Sequence, residues 1–211
     1  MNRRIKLAVS DECLQIHSGI KKDLADYPEI EIVFCTQNGD ELMQQTALNE
    51  IDIVLMESKL PMAEGNAIEK MQEQFPHVRK IIYTSHTSMR RVETALCANA
   101  YGYLLKSEGT SIARIAECIK MVSQGGTHFC SICTPMVQSR LRGEKVELFT
   151  AIEKQIIPLI ALGKTSEEIG RLLYKSKLTI EDYRKNMLKK TNTGNASEFI
   201  SWCYENEYLD K

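Results

Sequence analysis

The 211-residue sequence has no apolar run approaching the ~18 residues that would cross a bilayer. Met1-Asn2-Arg3-Arg4 leads directly into a strand-like apolar stretch, without the hydrophobic segment of a secretory signal. No membrane association is therefore expected, and a cytoplasmic setting is. An excess of either charge is also missing: 27 Lys and Arg stand against 28 Asp and Glu, for a net charge of −1. By composition the whole chain is no polyanion binder, although a local basic surface stays open. The cysteines Cys13, Cys35, Cys97, Cys118, Cys130, Cys133 and Cys203 are scattered and odd in number, which points to reduced thiols rather than a disulfide framework. Cys130 and Cys133 make one C-x-x-C near His128. No second cysteine pair or close histidine pair completes a zinc site, so buried or incidental thiols are preferred over metal ligands. Internal repeats and low-complexity stretches are absent. What is present, 43% hydrophobic and 26% charged residues, is ordinary for one or two globular domains.

Short apolar runs at 5–9, 31–35, 51–56, 80–84 and 102–105 read as strands. Amphipathic segments near 13–25, 40–48, 65–74, 89–98 and 111–124 read as helices between and after them. Five β-then-α units predict an α/β fold, a five-stranded doubly wound parallel sheet with helices on both faces, over residues 1–125. Gly125-Gly126 closes this block. Residues 126–148, with Pro135 and Gly143, read as a linker. Residues 149–211 carry only helical patterns, which predicts an all-α domain of four helices. Thr150 with Glu153 forms a capping box for a helix to Leu162, and Gly163 stops it. Thr165-Ser166-Glu167-Glu168 opens a second helix through Leu173. Thr179 opens a third through Lys190, and Asn195 or Ser197 opens a fourth ending near Tyr208.

Polar groups end several strands: Ser10-Asp11-Glu12 after the first, Glu57 after the third, Thr84-Ser85 after the fourth and Lys106 after the fifth. In a parallel sheet these ends share one edge, where open α/β sheets keep their ligand sites. Asp11, Glu12 and Glu57 would form an acidic cluster with Lys106 as counter-ion. Carboxylates packed together raise one another's pKa unless a cation relieves them. A hard ion such as Mg²⁺ suits an all-oxygen site. A solvated acidic rim is the plainer reading of position alone.

The same residues resemble the receiver domain of bacterial response regulators, over about residues 5–124. The resemblance implies that Asp11 and Glu12 match the family's Mg²⁺-holding pair. It implies further that Thr84 matches the hydroxyl after strand four and Lys106 the lysine after strand five. Tyr103 matches the rotating aromatic switch, and Leu60-Pro61 the turn after strand three.

One position departs. The family phosphorylates an aspartate where this chain has Glu57. In-line transfer is steep in geometry, and about an ångström of misplacement can cost ~100-fold. The extra methylene moves the carboxylate by about that much, so aspartyl-type phosphorylation is expected to be lost or very slow. Two outcomes follow. Glu57 places its charge near Thr84 and Lys106 and biases the domain toward its active state, or it pairs with Lys106 and locks an inactive one. Ser58 and His86 are poor substitute acceptors.

The segment Thr150…Glu153…Gly163…Glu168-Ile169-Gly170…Ser176…Thr179-Ile180 resembles the LuxR-type helix-turn-helix. Gly170 stands in the family's usual Ala place. Receiver plus this module is the layout of NarL/FixJ-type response regulators, which are transcription factors. The resemblance implies DNA and a second copy of the chain as partners, with a histidine kinase or another regulatory partner upstream. The helix opened by Thr179 would enter the major groove by its N-terminal part. Ile180, Tyr183, Met187 and Leu188 share one face at helical spacing and should pack inward, leaving Glu181, Asp182, Lys185, Asn186 and Lys189 outward. Lys164, Thr165, Lys190, Lys175, Lys177 and Arg184 add groups suited to phosphates.

Glu181 and Asp182 depart from the family, which places a basic and a small or neutral residue there. They pair with Lys185 along the helix, or accept from cytosine N4. Residues 147–211 hold ten Lys or Arg against ten Asp or Glu, without the basic excess common in nucleic-acid binders. Trp202 reads equally as core or as part of a dimer contact on the last helix. The expected function is a non-enzymatic, DNA-binding transcriptional regulator that works without phosphorylation. The rivals are an interaction adaptor that has lost DNA binding and a receiver still phosphorylated in two-component signalling.

Overall fold

The computed structural model describes residues 3–106, 111–142 and 147–210. They form two units, one taking 3–87 and 91–142, the other 147–210 with the short piece 88–90.

The first unit alternates strand and helix: β1 (Ile5–Ser10), α1 (Leu14–Leu24), β2 (Ile30–Thr36), α2 (Gly39–Leu48), β3 (Ile53–Met56), α3 (Ala67–Gln74), β4 (Arg79–Thr84), α4 (Met89–Cys97), β5 (Gly102–Leu105) and α5 (Ile112–Ser123). These strands pair in parallel throughout, in the order β2-β1-β3-β4-β5. β3 is four consecutive apolar residues, Ile53 to Met56, each at most 1% exposed. Such a run is what a central strand covered on both faces requires. Leu7, Val9, Ile53, Leu55, Ile81 and Leu104 meet α1 and α5 through Ile20, Leu24, Ile115, Ile119 and Val122. The alternate residues Ala8, Val54, Met56, Ile82 and Tyr103 are buried as well, on the opposite face. Each large apolar side chain so buried contributes about 1.5–3 kcal/mol.

The sheet has six strands, not five. The sixth, β6 (His128–Phe129), is only two residues long and lies in the segment read as a linker. Gly125, at φ +87°, turns the chain back after α5, and the returning backbone pairs with β5 at Gly102↔His128 and Tyr103↔Phe129. Two residues are too few to show a period-two pattern, so nothing in the sequence marks them. A 3₁₀ turn (Ser131–Cys133) and α6 (Thr134–Leu141) follow. The residues from 126 to 142 thus carry regular structure, while Gly143 lies outside the described residues.

The second unit consists of α7 (Ala151–Ala161), α8 (Ser166–Leu173), α9 (Lys177–Thr191) and α10 (Ala196–Glu205). Its core gathers Ile156, Ile157, Ile160, Ile169, Ile180, Met187, Phe199 and Cys203 around Phe149. The Phe149 ring meets Phe199, Trp202 and Tyr208 edge-on, with centroids 6.1, 6.1 and 4.8 Å away. Trp202 also stacks on Tyr208 at 5.7 Å, so it packs against the core.

Capping boxes close the starts of both α7 (Thr150 with Glu153) and α8 (Thr165 with Glu168). The third helix starts two residues before Thr179. Ser176 is its cap, accepting from the Thr179 N–H at 3.0 Å, while Thr179 sits inside the first turn. Both residues satisfy cap chemistry by type, and only the backbone direction separates them. Asn195 caps the fourth helix, which stops at Glu205 rather than near Tyr208.

The α8–α9 turn is tight. Tyr174 takes the left-handed conformation, φ +53°, and the Lys175 N–H bonds the Gly170 carbonyl at 2.9 Å. A Cβ on Gly170 would stand 2.6 Å from the Lys175 carbonyl oxygen, which is backbone and cannot swing away. Gly170→Ala should therefore destabilise the unit despite alanine's better helix propensity. Overpacking costs about 1–3 kcal/mol and propensity returns about 1. A lower Tm by calorimetry is expected, and an unchanged or higher Tm would show that the turn can relax.

Candidate functional site

Strand register alone brings the first site together. Ser10 pairs with Met56, so the next residues, Asp11 and Glu57, emerge side by side where the strand order switches between β1 and β3. Thr84 pairs with Leu105, and the Lys106 N–H bonds the Thr84 carbonyl at 2.8 Å. The Lys106 ammonium then sits 2.6 Å from Asp11 Oδ2 and 2.6 Å from Glu57 Oε2. Both carboxylates are nearly buried, at 5% and 7% side-chain exposure.

The other Glu57 oxygen, Oε1, is also fully engaged. It accepts from the Ser58 N–H at 2.6 Å, from the Ser58 hydroxyl at 3.0 Å and from the Thr84 hydroxyl. The His86 N–H in turn donates to Thr84 Oγ1 at 3.1 Å. The contacts that the two outcomes for Glu57 called on are both made: one oxygen reaches Thr84 and the other pairs with Lys106. Burial works to raise the Glu57 pKa, but hydrogen bonds from Lys106, Thr84 and Ser58 outweigh it and hold the carboxyl below its ordinary range. Burial likewise opposes the Lys106 charge, and its two carboxylate partners override that and raise its pKa.

Tyr103 is wholly buried, and its hydroxyl donates to the His86 carbonyl at 3.2 Å. His86 therefore links the two switch positions through its backbone, its N–H to Thr84 and its carbonyl to Tyr103. Ser58 is spent on Glu57 and Thr84, with its hydroxyl 2.9 Å from Thr84 Oγ1. Sequence reasoning gave Ser58 no such role. The available signal was its place directly after the carboxylate, where its own N–H and hydroxyl can turn back onto it.

Glu12 does not join the cluster. Its side chain is exposed, and its carbonyl accepts from Gln37 Nε2 at 3.0 Å. Among the described residues no three His, Cys, Asp or Glu side chains gather where a metal ion could be held. Asp11 and Glu57 share an ammonium instead, so as arranged these residues do not fit a divalent cation.

The second candidate site is the α8–α9 surface. Ile180 and Met187 are buried, with Tyr183 and Leu188 packed against them. Glu181, Asp182, Lys185, Asn186 and Lys189 are exposed, as helical spacing predicts. Several cations expected to meet phosphates have partners within the unit. Lys190 lies 2.6 Å from the buried Glu153 carboxylate, the same group that closes the α7 capping box. Lys164 pairs with Glu168 at 3.6 Å, and Arg184 donates to the Lys164 carbonyl at 2.5 Å. Glu181 pairs with Lys177 at 3.7 Å, one turn back, rather than with Lys185. The earlier helix start is the reason, since it puts Lys177 at i−4 on the same face. Lys175, Lys185 and Lys189 form no ion pair among the described residues and remain for an external anion.

The comparisons with known proteins agree on both units. The response regulator receiver domain matches residues 7–119, and the bacterial regulatory proteins of the luxR family match residues 147–203. The chain belongs to the response regulators, as a receiver domain followed by a luxR-type helix-turn-helix, a layout of transcription regulators. It is 28% identical to the transcriptional regulatory protein MctR of Rhizobium johnstonii over 99% of this chain and 97% of that protein. It is 27% identical to the transcriptional regulatory protein LiaR of Bacillus subtilis, over 98% and 100%. In fold it is similar to the response regulator RcsB of Salmonella typhimurium, with a TM-score of 0.75 at 16% identity over 94% of this chain and 98% of that one. A complex of RcsB with DNA gives a TM-score of 0.71 at 16% identity, over 96% and 99%. No helix among the described residues is long and apolar enough to cross a membrane.

Because the folded pKa of Glu57 is lowered, its contribution to stability is present above the ordinary carboxylate range and is lost as pH falls through the folded value. Glu57→Gln should cost about 2 kcal/mol at neutral pH, the scale of a hydrogen bond to a charged group. It should also flatten the acid limb of the stability curve. Urea melts across pH check this, and parallel acid limbs in variant and wild type would contradict it.

Proposed function

We propose that the protein is a DNA-binding transcription regulator whose receiver works without phosphorylation. The observation that carries this reading is the Glu57 carboxylate itself, already bound on one oxygen by Thr84 and Ser58 and on the other by Lys106. A phosphoryl group on an aspartate would bring about two charges and three acceptor oxygens to these same donors. With both oxygens occupied, Glu57 has little capacity left to attack a phosphoryl donor, and its donors need no further anion. Thr84 drawn onto Glu57 and Tyr103 buried beside it support a receiver held in its switched arrangement. The Lys106 ammonium balances part of the charge of Asp11 and Glu57. We assign residues 1–125 to the receiver, with β6 and α6 extending it into the segment 126–148, and residues 149–211 to DNA binding.

In the second unit, Lys175, Lys185 and Lys189 contact phosphates, while Thr165, Thr179 and Asn186 supply neutral donors near the groove. Glu181 and Asp182 face the bases or offset neighbouring charge. The luxR-family match and the RcsB–DNA complex support DNA as partner, and a homodimer brings affinity to a useful level. A dimer with three unpaired lysines per copy neutralises about six phosphates. Log affinity should then fall with log salt with a slope of about −5.

The internal pairing of Lys164, Lys177 and Lys190 favours a second reading, an interaction adaptor without DNA affinity. One experiment separates the two. Purified, untreated protein is used to pull down sheared genomic DNA at two salt concentrations, and intact mass is followed after acetyl phosphate with Mg²⁺. Discrete enriched sites with no mass gain are expected. Diffuse, salt-labile recovery would favour the adaptor, and a mass gain abolished in Glu57→Ala would return the protein to phosphate-driven signalling.

A further inference from the structure

The C-x-x-C motif has no part in either site above, yet it lies beside one of them. Cys130 follows β6 directly, and Cys133 ends the 3₁₀ turn from which α6 starts. Their sulfurs are 3.9 Å apart, and the Cys133 N–H bonds the Cys130 carbonyl at 3.0 Å, which holds the two side chains in one tight turn. Exposure is 4% at Cys130 and 0% at Cys133. The Cys130 N–H donates to the Tyr103 carbonyl at 3.0 Å, and Phe129 is the strand partner of Tyr103. Both sulfurs are near enough to the Tyr103 hydroxyl for a charge on either to be felt there.

We propose that Cys130 and Cys133 are a disulfide-forming site that reports oxidation by a hydroperoxide to the switch residue Tyr103. A disulfide needs its sulfurs at about 2.05 Å, so closing the pair draws them together by about 2 Å. The partners have different roles. A hydrogen bond to Cys130 and burial both raise the Cys133 pKa. Cys130, the more exposed of the two and the residue at the end of β6, is the one a small oxidant reaches first and is the nucleophile.

In the first step the Cys130 thiolate attacks one oxygen of the hydroperoxide. The O–O bond breaks, a sulfenic acid forms, and the other oxygen leaves with a proton as water or alcohol. In the second step Cys133 loses its proton and attacks the sulfenic sulfur, releasing water. Two thiols are oxidised to one disulfide, and one peroxide is reduced. Burial favours a small oxidant over a bulky disulfide. The new bond shortens the turn that carries the Cys130 N–H, and the strain is delivered to the β5 backbone at Tyr103.

The test uses the full-length reduced protein, hydrogen peroxide, alkylation and peptide mapping. The expected product is a bond joining Cys130 to Cys133, with loss of two hydrogens, reversed by dithiothreitol. Hydrogen exchange over residues 101–106 should change with it. Cys130→Ser and Cys133→Ala should each abolish both effects, and the wild-type readout stands even if one variant folds poorly. Oxidation of the exposed Cys97 or half-buried Cys35 while Cys130 and Cys133 stay alkylatable after unfolding would overturn the site. A disulfide with no exchange change in β5 would overturn its coupling to Tyr103. Neither readout depends on DNA binding, so the outcome is independent of the function proposed above.

Discussion

Two carboxylates cannot be buried side by side at the ends of neighbouring strands unless something between them carries positive charge. In this receiver that something is the Lys106 ammonium, 2.6 Å from each. Separately, either carboxylate would repel the other and drift toward its neutral form. Together with one lysine they make a site of net charge −1 that is nearly dry and has every main acceptor filled. The glutamate's extra methylene is what allows this. It lets one side chain span from the β1 side, where Lys106 meets Asp11, to the β4 side, where Thr84 stands. One side chain thereby meets Lys106 with one oxygen and Thr84 and Ser58 with the other.

The dependence runs outward from there. Thr84 is held by Glu57, the His86 backbone is held by Thr84, and Tyr103 is held by His86. The links through His86 are neutral hydrogen bonds worth about 1 kcal/mol each, and the one from Thr84 to the Glu57 carboxylate is worth about 2. Together they fix which way the β4–α4 loop presents its backbone. Glu57, Thr84, the His86 backbone and Tyr103 are thus joined in one continuous chain of hydrogen bonds.

The five long strands were readable because each is an apolar run bounded by turn residues, and Glu57, Asp11 and Lys106 followed from strand ends that a parallel sheet must bring to one edge. Glu12 failed because adjacency in sequence is not adjacency in space: Asp11, one residue past β1, turns into the site, and Glu12, two residues past it, is exposed. β6 failed because a two-residue strand carries no periodicity, only a backbone edge waiting for a partner. In the helical unit, Glu153 and Lys190 are 37 residues apart, and no local pattern announces that a capping glutamate will also take a lysine. Lys177 with Glu181 could have been found from spacing once the helix start was moved back to Ser176. Charge partners were legible where they were local and illegible where the fold supplied them.

The smallest strand has a consequence out of proportion to its length. β5 holds Tyr103, and without His128–Phe129 its outer edge would present open N–H and C=O groups beside a row of apolar side chains. Such an edge is a template for pairing with another chain. The chain ends its sheet with a two-residue clasp, anchored by α6 through Arg140, which donates to the Leu96 carbonyl and to Asn99. Any fragment cut at the point where the five βα units end would lose that clasp and gain a sticky border. The receiver of this protein is therefore a longer object than its five repeating units, and its border is closed by residues outside them.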